Sequence, residues 1–232
     1  PKSLKHPDIV CFKKAKKKKK KKADGWHPKL TLGATLSMVH SHHVPGVDDG
    51  LSMTLGALVN GELGYKKGNH LWVTNLAIVH AWSKTPTIKP MIKSADEMVL
   101  KTAYTYSMPK LQSLGVFGAL QLVTSLAPGD LITASDTDLL LNRVDGTQTT
   151  DLAIRNDRYR LTDAFTPAIF KQMLGLSMTP YETILAVLNV KVSLAAHEIW
   201  ASGFAVNDDK ATAELELKEL ENFQQVGLQL ET

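Results

Sequence analysis

The segment Ile184-Leu-Ala-Val-Leu-Asn-Val-Lys-Val-Ser-Leu-Ala-Ala-His197 decides the fold class. Ile184, Ala186, Leu188, Val190, Val192, Leu194 and Ala196 take every second position, with Asn189, Lys191, Ser193 and His197 among their neighbours. A helix would spread that pattern around its circumference, whereas a strand sends successive side chains to opposite faces. The spacing predicts an extended segment within 183–206 with one greasy and one polar side.

The same period recurs outward from this segment. Leu30, Leu32, Ala34, Leu36 and Met38 alternate over 30–38, and Leu51, Met53, Leu55, Ala57, Val59, Leu63 and Tyr65 over 51–65. Residues 70–82 alternate more weakly. Met98, Leu100, Tyr104 and Tyr106 share a side over 97–108, as do Leu114, Val116, Leu120 and Leu122 over 113–126. Phe170, Leu174, Leu176 and Met178 (168–179) and Val226, Leu228 and Leu230 (223–230) complete eight predicted strands. Residues 211–222 fit a helical turn or a strand.

Short turns, Lys66-Lys67-Gly68-Asn69, Pro109-Lys110-Leu111-Gln112 and Pro180-Tyr181-Glu182, alternate with long links at 39–50, 83–96, 127–167 and 207–222. In a meander, alternate links lie at opposite ends, so the long loops gather at one end. Runs such as 51–65 exceed the roughly 9–11 residues that cross a bilayer at a tilt. Together these features predict an all-β, antiparallel up-and-down transmembrane β-barrel of at least eight strands, with more if the sequence is truncated. A soluble barrel binding an apolar ligand would also alternate, and differs in which face looks outward.

With the apolar side toward lipid, Glu62, Glu97, Lys101, Lys171, Asn189 and Lys191 face the lumen. Such charges are costly against hydrocarbon and tolerable where they can pair or meet water. The interfacial aromatics are Trp26, Tyr65, Trp72, Tyr104, Tyr106 and Tyr181 toward the short turns, and Trp82, Phe170, Trp200 and Phe204 toward the long loops. Two such bands fit the girdles of a membrane barrel.

Charge divides the chain into a basic poly-Lys tail at 1–23, periplasmic or a linker, and a barrel at 24–232. Residues 1–22 carry eleven lysines and a net +10, against +4 for the whole sequence, so the remainder carries −6. A block such as Lys16–Lys22 stays extended unless it meets an anionic surface. A basic-tailed nucleic-acid binder is an alternative, but no recognition motif follows the tail and nucleic acid is not favoured as a partner. The start, Pro1-Lys-Ser-Leu, has no apolar signal core, so an export signal has been removed or never existed. Cys11 alone supports neither a disulfide framework nor a cysteine-rich zinc module.

Candidate chemistry is sparse. His40, His42, His43 and Asp48, with Asp49, have the donor types for zinc or copper, yet a polar surface loop accounts for them as well, and no cofactor is assigned. Asp130, Asp136, Asp138, Asp145, Asp151, Asp208 and Asp209 lack EF-hand spacing. Arg143, Arg155, Arg158 and Arg160 concentrate in the longest loop, where lipid phosphate or local ion pairs would hold them. His197 and Glu198 with Ser193 or Ser202 have hydrolase side chains, but a triad needs convergence in space. No phosphate-binding glycine loop is present.

Several motifs resemble an uncharacterised family of Gram-negative outer-membrane β-barrel proteins, known as a domain of unknown function. These are Asp24-Gly25-Trp26, the hairpin Tyr65-Lys-Lys-Gly-Asn-His-Leu-Trp72, Thr85-Pro-Thr-Ile88, Lys93-Ser-Ala-Asp-Glu97, the Tyr104/Tyr106 pair and, more loosely, Asn207-Asp-Asp209. The resemblance spans roughly 24–232 and carries over no catalytic residue. Barrels of this class usually close on a strand ending in an aromatic residue, whereas this sequence reads Leu230-Glu231-Thr232. The resemblance implies residence in the bacterial outer membrane, contact with its lipid including lipopolysaccharide, and a protein partner in an envelope assembly. The expected role is structural, assembly-partner or narrow-channel transport, without catalysis.

Overall fold

The computed structural model describes residues 24–231 apart from 47, 88–89, 110, 112, 133–136, 155–157, 183–186, 202 and 209–214. The predicted tail, Asp136, Arg155, Ser202 and Asp209 therefore lie outside the described residues, as do the side chains of Asp151 and Tyr181.

Fourteen strands and no helix make up the described residues: β1 (Gly25–Ser41), β2 (Gly50–Lys67), β3 (His70–Lys84), β4 (Ile92–Ser107), β5 (Leu114–Thr124), β6 (Gly129–Ile132), β7 (Thr137–Asn142), β8 (Gln148–Ile154), β9 (Arg158–Thr162), β10 (Ala168–Glu182), β11 (Val187–Trp200), β12 (Ala205–Asn207), β13 (Leu215–Glu219) and β14 (Phe223–Glu231). The eight strands legible from alternation form one antiparallel sheet in the order β1-β2-β3-β4-β5-β10-β11-β14. β1 and β14 are its edges; the sheet is open, with no closed barrel among the described residues.

Alternation and ladder register together sort the side chains. One register row crosses all eight strands as Trp26, Tyr65, Trp72, Tyr104, Gly118, Leu174, Leu194 and Leu228. The neighbouring phase gives Lys29, Glu62, Asn75, Lys101, Gln121, Lys171, His197 and Gln225, again across all eight. One face is thus apolar and aromatic, the other polar. A one-residue slip at any ladder would mix the two.

The polar face is the crowded one. A Cβ on Gly175 would strike the backbone of Val192 and Ser193, and one on Gly115 would come 3.1 Å from the Tyr106 carbonyl. Phe117 and Ser193, on the same face, are each only 4% exposed. On the apolar face Leu32, Leu174 and Leu228 are exposed.

Strand ends follow local chemistry. Gly68, at φ 54°, makes the β2–β3 turn, a conformation that costs glycine nothing. Pro180 does not turn the chain as expected. It lies within β10 at a register shift between Met178 and Tyr181, where a missing N–H is tolerated. The segment expected over 183–206 stops at Trp200, because the Ala201 N–H is taken by Asn222 Oδ1 and the chain turns at Gly203.

The long links are not plain loops. Between β5 and β10 the chain forms β6 to β9, and between β11 and β14 it forms β12 and β13. The two excursions meet: β13 pairs in parallel with β7, making a four-stranded sheet β12-β13-β7-β8, while β6 pairs with β9. Leu139 and Leu217 form its buried centre, packed by Leu131, Leu141, Tyr159, Leu161, Ala205 and Leu215. This lobe stands at the end of the large sheet that carries the long links.

Candidate functional site

The expected lumen residues share the polar face of the large sheet. Glu62 faces Lys29 and Asn75 in register; Lys101 faces Asn75 and Gln121; Lys171 faces Gln121 and His197. Glu97 is exposed on the same side. Asn189 Oδ1 accepts the Thr179 hydroxyl at 2.8 Å. Lys191 Nζ lies 3.3 Å from Glu231 and 5.7 Å from the centre of the Phe117 ring. Lys29, His197 and the three amides Asn75, Gln121 and Gln225 complete the row. None of the five was among the expected lumen residues, although alternation already puts His197 on the polar side of its strand.

Apart from Phe204 and from Tyr181, whose side chain lies outside the described residues, the expected aromatics occupy the opposite face in two bands. At the short-turn end, Trp26 packs on Tyr65 at 4.7 Å and on Trp72 at 6.4 Å, and His70 sits 5.0 Å from Tyr106. Two polar tips in this band have partners: Trp72 Nε1–H donates to Thr102 Oγ1 at 2.7 Å, and the Tyr104 hydroxyl lies 2.6 Å from His70 Nδ1. At the lobe end, His80 packs edge-on to Trp82 at 4.0 Å, and Phe170 stacks on Trp200 at 6.4 Å. All four tryptophans of the sequence therefore lie in the bands. Phe204 does not join them: its carbonyl accepts the Leu220 N–H within the excursion after β11.

Sequence reasoning also missed Asp96, although its motif, Lys93 to Glu97, was noticed. Asp96 takes a hydrogen bond from His80 Nδ1 at 2.9 Å, from Lys93 Nζ at 2.8 Å, and from the N–H groups of Leu126 and Ala127 at 3.1 and 2.8 Å. Its side chain is 2% exposed. A carboxylate shielded this far needs such partners. The node fastens β3 and β4 to the start of the excursion.

The candidate chemistry separates. Ser193 and His197 are four residues apart on β11, roughly 13 Å along a strand, and Glu198 is on the other face. No triad is assembled from them, and the His197 ring packs against Phe223 at 5.9 Å. Asp130 pairs with Arg158 at 3.7 Å, and Arg160 with Asp163 at 3.8 Å. Asp145 accepts the N–H and hydroxyl of Thr147, and these bonds hold its carboxyl below the ordinary 3.8. Of the metal candidates, His42 and His43 converge with Asp49, while Asp48 is taken by the Thr87 hydroxyl at 2.7 Å and His40 lies at the end of β1.

The class that fold and site define is an all-β protein whose open antiparallel meander has one exposed apolar face, one polar face and a small β lobe at one end. No protein-family model matches the chain, and neither a curated protein nor a solved structure matches it.

Proposed function

We propose that the chain is a bacterial outer-membrane protein, its meander forming barrel wall with the apolar face in lipid and the polar face lining an aqueous interior. The observation that carries this reading is the exposed apolar face bounded by two aromatic bands. Trp72 and Trp82 mark the bands on β3, ten residues apart. At a rise of about 3.3 Å per residue this is roughly 33 Å along the strand, or about 25 Å at a tilt of about 40°, the height of the apolar band of an outer-membrane barrel. A soluble barrel would turn these leucines inward. The eight-residue polar row supports the same reading, because it suits water and small polar solutes better than a dry core. The role that follows is narrow-channel transport or a structural part of the envelope, with lipid, lipopolysaccharide included, as the surrounding partner.

The four tryptophans supply the test. The full chain is refolded into phospholipid vesicles brominated at different acyl depths. Strong quenching by shallow bromines and weak quenching by central ones is the expected result. A chain that stays monodisperse in buffer without detergent and is not quenched at any depth would sink the reading.

A further inference from the structure

We propose that His42, His43 and Asp49, at the β1–β2 link, bind a divalent transition metal in tetragonal geometry, copper(II) or nickel(II). The proposal is independent of the membrane reading, because the link joins two strands in either setting.

His42 Nε2 and His43 Nδ1 face each other at 2.9 Å, with the rings edge-on at 4.0 Å between centres. On the far side of the His42 ring, Nδ1 lies 3.3 Å from Asp49 Oδ2. A carboxylate at that distance favours the tautomer with hydrogen on Nδ1, which leaves Nε2 as the nitrogen available to an ion. A carboxylate behind a ligating imidazole is the usual arrangement for fixing its tautomer.

The donor set narrows the ion. The two ring nitrogens, 2.9 Å apart and sharing a hydrogen bond, lie close enough to turn to one ion, and imidazole nitrogen with carboxylate oxygen is a donor set suited to square-planar or tetragonal ions. The carboxylate supplies negative charge beside the pair, and one donor atom from each of the three residues falls within 4.8 Å of the others.

The site is braced before any ion arrives. His43 adopts φ 53°, a left-handed conformation uncommon outside glycine, and its N–H donates to Asp49 Oδ1 at 2.6 Å. The adjacent Asp48 is held by Thr87 on the β3–β4 link. Asp49 therefore holds the backbone that presents His43 and places its other carboxylate oxygen beside His42 Nδ1.

The test uses the full chain without an affinity tag, titrated with copper(II) chloride and followed by calorimetry and electron paramagnetic resonance. The expected result is one equivalent bound with a tetragonal signal split by imidazole nitrogen. The double variant His42→Ala/His43→Ala loses that equivalent at least tenfold in affinity, while His70→Ala leaves it unchanged. Asp49→Asn keeps an acceptor for the His43 N–H but removes the charge, and weakens binding several-fold with nitrogen splitting retained. Circular dichroism of each variant, matching the parent, excludes unfolding as the cause. Copper binding unaffected by the double substitution, a tetrahedral signature, or no binding at micromolar metal overturns the proposal.

Discussion

The large sheet and the lobe use leucine in opposite ways. In the lobe, Leu139 and Leu217 are 1% and 0% exposed, sealed by six partners drawn from short strands that are far apart in sequence. In the sheet, Leu32 and Leu228 on the edge strands are 69% and 85% exposed, and Leu174, on a strand paired along both sides, is still 66% exposed. Removing apolar area from water is worth roughly 25 cal/mol per Å². The lobe collects that gain inside the protein. The sheet, held by backbone hydrogen bonds and cross-strand contacts, leaves its apolar face uncovered. A protein can therefore carry a water-type core and a solvent-type face side by side, and the difference is readable from which leucines are covered.

The sharpest break in this comparison is one substitution made in both regions. Leu139→Ala is expected to destabilise the lobe by about 2–5 kcal/mol, as buried leucine deletions do. Leu32→Ala should change denaturant stability in detergent by less than about 1 kcal/mol. Equal losses at both positions would erase the distinction. Next in size, Leu100→Lys, facing Leu76 midway between the bands, should cost about 2–4 kcal/mol when the chain is refolded in a bilayer, with Asn60→Lys on the polar face nearly neutral. The Asp96 node, where sheet meets lobe, comes third. Asp96→Asn removes the charge and sets an NH2 donor against groups that are themselves donors, and about 2 kcal/mol is expected, read as faster amide exchange at Leu126 and Ala127.

Smaller effects sharpen the contrast. Lys191→Met removes a half-exposed ion pair with Glu231 and should move the melting temperature little, because such pairs contribute about 0–1 kcal/mol. The smallest change is acid loosening of the β7–β8 turn. Asp145 titrates lower in the folded chain than its ordinary 3.8, so its contribution is fully present above that value and is lost as pH falls through the depressed one. Amide exchange at Thr147 should quicken only over that acidic window, while the sheet amides stay protected.

Period-two alternation placed all eight strands of the large sheet, because the pleat ties facing to sequence parity with no need for distant partners. Gly68-Asn69 likewise marked its turn from local preference alone. The lobe escaped notice because its strands are three to seven residues long, too short for a period to register. Its central pairing joins β7 to β13, so neither segment announces the other. The metal cluster was half legible: adjacent histidines are visible in a string of letters, whereas choosing Asp49 over Asp48 needed the turn at Gly46 and the left-handed backbone at His43.

The sequence by itself determined that these strands have two unlike faces, since alternation along one chain is a local property. Only the tertiary structure decided which face is crowded and which is bare, and how two distant excursions close over Leu139 and Leu217. Those outcomes depend on sheet curvature and on ladders between segments remote in the chain, which no single stretch of residues encodes.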